Sequence, residues 1–171
     1  MRWGILSTAR IGARTIPAIQ AAKGCEVVAI ASRDLARAEA AAREPGIERA
    51  HGSYADLLAD DAVDTVYIPT PNHLHVPLTL EAIAAGKHVL CEKPLALERA
   101  DALRIAEAAE AAGVTVGEAF MTRHHPQWRR AREIVEEGRI GRLTAIQALF
   151  SYHNDDPGNV RNRADIGGGG L

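Results

Sequence analysis

Aromatic side chains are scarce in this chain: two Trp, three Tyr and two Phe make up 4% of its 171 residues. A core without many large rings has to be aliphatic and alanine-rich, which suits helices packed closely on a sheet. Cysteine is nearly absent. Cys25 and Cys91 stand alone, outside any metal-spaced cluster, so both read as free thiols, with neither a metal site nor a disulfide framework expected. A basic excess is missing as well, since 20 Lys and Arg face 22 Asp and Glu for a net charge of -2. Nucleic acids and anionic membranes select basic surfaces, so neither is an expected partner. The seven histidines add charge only below neutral pH. No apolar run approaches the roughly 20 residues of a membrane span. The opening Met1-Arg2-Trp3-Gly4 enters a strand pattern without the apolar stretch of a secretory signal. The expectation is a soluble, cytoplasmic chain.

Strand and helix signals alternate from the first residues onward. Short apolar runs predict strands at residues 3–7, 26–31, 50–53, 64–69, 88–91 and 114–117. Between them, 3.6-period patterns predict helices ending near residue 22 and spanning 35–43, 54–59, 75–85 and 98–112. Lys23-Gly24, Pro45-Gly46, Gly86 and Gly113 supply the stops, and Asp34 the N-cap of the second helix. Pro17 lacks an amide donor, so the first helix is expected to start late or to kink. Such alternation with short loops predicts an α/β fold, a Rossmann-type doubly wound parallel sheet over residues 1–119. Beyond it, residues 120–171 read as the truncated start of a second domain. They hold an amphipathic helix at 126–137, a strand-like alternation at 143–152 and the closing Gly167-Gly168-Gly169-Gly170-Leu171. One strand cannot form a stable sheet alone.

In a doubly wound sheet, ligands bind at the carboxyl ends of the strands, so the loops after them carry the functional reading. After the first strand, Ser7-Thr8-Ala9-Arg10-Ile11-Gly12 occupies the place of a glycine-rich dinucleotide fingerprint but keeps only its third glycine. Ser7 and Ala9 are small enough for a pyrophosphate to approach, and a helix N-terminus offers unpaired amides to an anion. After the second strand, Ser32-Arg33-Asp34 with Arg37 one turn later presents a hydroxyl and two guanidinium groups, which favours the 2′-phosphate of NADP over NAD. After the fourth strand, Thr70-Pro71-Asn72-His73-Leu74-His75 is stiffened by proline, and Asn72 and His75 offer hydrogen bonds to a ribose or a nicotinamide amide.

The run at residues 88–91 then breaks at Glu92-Lys93-Pro94. Folding does not require a lysine where a buried strand leaves a sheet, so Lys93 is the candidate for chemistry. Arg123, after the sixth strand, is a candidate to line the substrate side.

Taken together, Trp3-Gly4-Ile5-Leu6, Thr70-Pro71-Asn72-x-x-His75, Glu92-Lys93-Pro94, Glu118-Ala119-Phe120-Met121 and His125-Pro126-Gln127 resemble the Gfo/Idh/MocA oxidoreductases. The resemblance implies a C-terminal α/β domain with a large, mostly antiparallel sheet, commonly the oligomer contact and the roof of the substrate site. It implies Lys93 beside the nicotinamide and in contact with the reacting hydroxyl or carbonyl. The loop after Glu92 joins Ser7, Thr8, Ala9, Arg10, Ile11 and Thr70 around the cofactor, and a cis Lys93–Pro94 peptide is frequent. The expected activity is NAD(P)-dependent hydride transfer to or from a sugar, polyol or dihydrodiol, in a homo-oligomer. The family continues past the glycine-rich segment, so this chain is expected to bind cofactor without turning substrate over. The rival is a non-catalytic dinucleotide-binding sensor or regulatory module, against which Lys93 speaks.

Overall fold

The computed structural model describes residues 1–168. Six parallel strands, β1 (Arg2–Leu6), β2 (Glu26–Ala31), β3 (Arg49–His51), β4 (Thr65–Ile68), β5 (His88–Cys91) and β6 (Val116–Glu118), form one sheet in the order β3-β2-β1-β4-β5-β6. Two helices, α1 (Gly12–Ala21) and α2 (Leu35–Arg43), follow β1 and β2, and their apolar residues Ile16 and Ala42 pack with Ile5, Ile30 and Tyr67 on one face. Three helices, α3 (Tyr54–Leu58), α4 (His75–Ala84) and α5 (Arg99–Ala112), cover the other face through Leu57, Leu78, Ala82 and Ile105. The predicted doubly wound sheet is therefore present, with every strand edge facing the same way.

Local chemistry explains the boundaries. Asp34 caps α2 by accepting from the amides of Ala36 (2.9 Å) and Arg37 (3.4 Å). Gly113 ends α5 in the left-handed region at φ 67°, where a side chain would be strained. At Gly4 the reason is space: a Cβ there would lie 2.7 Å from Leu57 Cδ2, so α3 can sit on β1 only because the strand is bare at that point. Pro17 neither delays α1 nor ends it. Pro17 and Ala13 are both exposed, so water can satisfy the carbonyl that the proline leaves without a donor. β3 begins and ends earlier than its sequence pattern, because its partner β2 pairs Ala29, Ile30 and Ala31 with Arg49, Ala50 and His51.

Past β6 the packing stops. α6 (Pro126–Glu136) forms as expected, with His125 as its N-cap, but it buries none of its residues. Residues 143–152 do not form the expected strand. Ile146 is 79%, Leu149 93% and Phe150 89% exposed, and among the described residues no strand lies beside them to complete a ladder. Gly169, Gly170 and Leu171 of the closing glycine run lie outside the described residues. No helix is long and apolar enough to cross a membrane, and no group of three metal-ligating side chains occurs, among the described residues.

The amino edge of the sheet is tied by charge. Arg2 donates to Asp64 through Nε (3.1 Å), Nη2 (2.6 Å) and its backbone amide (2.9 Å). These bonds from Arg2 hold the Asp64 carboxyl well below the usual carboxylate range. A depressed folded value contributes stability that is present above the unfolded value of about 4 and is lost as the pH falls through the folded one. We expect the melting temperature of the chain to drop between about pH 4 and pH 2 more steeply than that of Asp64→Asn. At pH 7 the variant is expected to be the less stable of the two. Thermal unfolding followed by circular dichroism across that range checks both.

Candidate active site

In the order β3-β2-β1-β4-β5-β6 the chain reverses direction across the sheet between β1 and β4, and the crevice at that switch is where doubly wound sheets take their ligands. The first loop there, Ser7 to Ile11, is half-buried except for exposed Arg10. Ser7 Oγ accepts from the Ala9 amide at 3.0 Å and so tightens the turn without glycine. No side chain caps α1, and its first turn holds no acidic residue. The helix N-terminus with Arg10 beside it suits the pyrophosphate of a dinucleotide on partial charge, while the Gly12 and Ala13 amides already donate to Ala9 O (2.9 Å) and Arg10 O (3.2 Å). A groove of about 520 Å³ runs from this loop along α1 and past Ile16 to Ala41 on α2. After β2, Ser32 is buried (7% exposed) and its Oγ accepts from the Asp34 amide at 3.4 Å. Arg33, two residues past β2, and Arg37, in the first turn of α2, are exposed and form no ion pair among the described residues.

The loops after β4 and β5 are knotted together more tightly than their sequence implies. Glu92 donates its backbone amide to Ile68 O at 3.1 Å. Its Oε1 accepts a 2.6 Å hydrogen bond from the Tyr67 hydroxyl. Tyr67 is 1% exposed; burial and then the Glu92 carboxylate push its hydroxyl well above the ordinary value, so it remains a donor. The Lys93–Pro94 peptide is cis. Pro94 O lies 2.7 Å from His75 Nδ1, and the Leu95 amide donates to Glu118 Oε1 at 2.9 Å. Lys93 itself is exposed, and among the described residues its Nζ forms neither a hydrogen bond nor an ion pair, not even with Glu92. The backbone around Lys93 is held on all sides while its side chain is left free.

Several sequence candidates take up different positions from those their residue types implied. His75 turns inward: the ring is 1% exposed, with Nε2 2.8 Å from Thr70 O and Nδ1 on Pro94 O, which leaves no ring nitrogen for a ribose or a nicotinamide amide. Asn72 Nδ2 donates to Gly167 O at 2.7 Å, so Gly167 seats on the β4 loop. Thr70 is 7% exposed and its hydroxyl has no partner among the described residues. Arg123 is exposed in a 3-10 turn that follows β6. Tyr67 and Glu118 went unread in the sequence as holders of the lysine loop. The only signal for Tyr67 was a hydroxyl inside an otherwise apolar strand. A second groove, about 430 Å³ between α4 and α5, lies outside the crevice and shares only Asn72 with the candidate residues.

The Gfo/Idh/MocA model, described as an oxidoreductase family with an NAD-binding Rossmann fold, matches residues 1–120. The chain belongs to this oxidoreductase family. An uncharacterised oxidoreductase of Rhizobium meliloti is 51% identical over 172 residues, covering 100% of the chain and 52% of that protein. D-xylose 1-dehydrogenase (NADP(+)) 2 of Haloferax volcanii is 46% identical, covering 100% of the chain and 53% of that protein. Among solved structures, a 3-ketoreductase from Actinomadura kijaniata in complex with NADP and TDP-benzene superposes with a TM-score of 0.91 at 40% identity. That match covers 99% of this chain and 52% of the other. The chain thus spans about half the length of the relatives it matches.

The Tyr67–Glu92 bond generates a direct prediction. Tyr67→Phe removes a donor from a half-buried carboxylate while keeping the ring, and is expected to destabilise the chain by about 1–2 kcal/mol. Urea unfolding measures this; an unchanged midpoint would mean that water replaces the hydroxyl at no cost.

Proposed function

We propose that the chain is the cofactor-binding part of an NADP-dependent oxidoreductase, one that moves a hydride between the nicotinamide and a hydroxyl or carbonyl carbon of a sugar, polyol or dihydrodiol. The observation that carries this reading is the loop after β5, whose backbone is fastened to β4, α4 and β6 while Lys93 Nζ has no partner among the described residues. A flexible surface lysine needs no such frame. Support for the substrate class comes from the names of the relatives, a D-xylose dehydrogenase and a 3-ketoreductase among them.

The bound cofactor supplies the hydride. Ser7, Thr8, Ala9, Arg10 and Ile11 hold its pyrophosphate at the open end of α1, and Ser32, Arg33 and Arg37 receive the 2′-phosphate. Thr70, Asn72 and Glu92 flank the nicotinamide side. Lys93 donates a hydrogen bond to the substrate oxygen, and its cation stabilises negative charge there as the carbonyl is reduced. Arg123 lines the substrate side. Residues 120–171 open the second domain, and the complete enzyme is a cytoplasmic homo-oligomer.

Two measurements test this. Arg33→Ala is expected to weaken NADPH binding to the chain about tenfold and to leave NADH binding unchanged, since one charge-assisted contact to phosphate is lost. Equal NADPH affinity in a fluorescence titration would remove Arg33 from the phosphate site. In the complete enzyme Lys93→Ala is expected to lower kcat about 10²–10³-fold with little change in cofactor affinity. For the 171-residue chain alone the expectation is cofactor binding without steady NADPH oxidation on sugars or dicarbonyls, followed at the nicotinamide absorbance band.

A further inference from the structure

The hydrogen bonds of Pro94 O and of the Leu95 amide belong to one and the same peptide unit. Its carbonyl lies 2.7 Å from His75 Nδ1 and its N–H is donated to Glu118 Oε1 at 2.9 Å. A peptide plane held at both of its polar groups is restrained against rotation about the bonds on either side. The proline ring already fixes φ at Pro94, so the grip fixes the remaining torsion of that residue. Lys93 is the residue directly before, and its amide path is closed by the Glu92 bond to Ile68 O.

The two holders differ in kind. Glu118 is an exposed side chain at the end of β6, where water competes for its carboxylate. His75 is 1% exposed and opens α4. Its second nitrogen lies 2.8 Å from Thr70 O; a ring with one N–H donates to only one of the two carbonyls, and the Nδ1–H tautomer is the one that holds Pro94 O. A buried polar group that loses its partner bears the full desolvation penalty, so the buried end of the grip is the stiffer one.

We propose that His75 is a positioning residue for Lys93: by fastening the Pro94 carbonyl to the start of α4, its ring sets the direction in which Lys93 leaves the sheet. This rests on the reading of Lys93 as the group that meets the substrate oxygen. It assigns to His75 a role that no contact with cofactor is needed to perform.

The two faces of the ring can be separated with amide side chains. Asparagine carries an N–H at the δ position, where Nδ1 meets Pro94 O, and glutamine carries one at the ε position, where Nε2 meets Thr70 O. His75→Asn therefore keeps the Pro94 link and His75→Gln keeps only the Thr70 link. Backbone amide signals of isotope-labelled wild-type chain and both variants are compared by NMR without cofactor, with thermal unfolding recorded alongside. The expected result is that the Lys93 and Leu95 signals stay in place in His75→Asn and move in His75→Gln, with both variants folded. A ring that serves only to fill the core would not distinguish the two. Equal displacement in both variants, displacement in neither, displacement in His75→Asn alone, or loss of the fold in either overturns the proposal. NADPH added to the wild-type chain tests the underlying reading separately. If no signal near Lys93 responds to NADPH, the cofactor assignment fails while the amide comparison still decides the role of His75.

Discussion

Because β1 pairs with β4, Trp3 to Thr65, Gly4 to Val66 and Ile5 to Tyr67, the loops that leave these two strands open side by side at the centre of the sheet. Every candidate group depends on that pairing. It sets the uncapped end of α1 next to the β4 loop, and through β4–β5 pairing it brings Glu92 within reach of Tyr67. The pairing in turn depends on close packing behind it. Gly4 leaves the room that Leu57 fills, so α3 can lie against β1 and close the crossover from β3 to β4. A side chain at residue 4 would push the crossover helix outward and disturb the centre of the sheet.

Two lysines flanking β5 show how environment separates a lysine used by the fold from one the fold does not use. Lys87 is 8% exposed, and its Nζ donates to Asp60 O (3.0 Å) and Val63 O (2.8 Å), which fastens the amino edge of the sheet. Six residues later, at the carboxyl edge, Lys93 has a fastened backbone and a free Nζ. A buried ammonium must spend its hydrogen bonds on the fold. An exposed one on a fixed backbone leaves them to solvent.

The segment after β6 has the opposite character from the sheet. α6 buries nothing, and the apolar side chains Ile146, Leu149 and Phe150 face solvent. Among the described residues a tie back to the crevice is made by Gly167, whose carbonyl receives the Asn72 amide and where a Cβ would lie 2.7 Å from Leu97 Cδ1. The glycine at this position thus has a packing reason.

Periodicity and punctuation determined the strands and helices of the sheet, since each element carries its own apolar face and its own stop. The Asp34 cap and the glycines at helix ends were legible for the same reason: they act within a few residues of themselves. Lys93 stood out because a cation at the end of a buried strand breaks the local pattern. The strand at residues 143–152 did not form, although its alternation was correct, because a strand exists only when a neighbour supplies the other half of the ladder. For His75 the residue type was right for a ligand contact, and packing turned it to the backbone of Thr70 and Pro94. Tyr67 and Glu118 lie 25 and 23 residues from the groups they hold, Glu92 and Leu95. No spacing rule in the sequence links such pairs. They meet because strand order and register bring β4, β5 and β6 together, a decision of the whole sheet that no single segment contains.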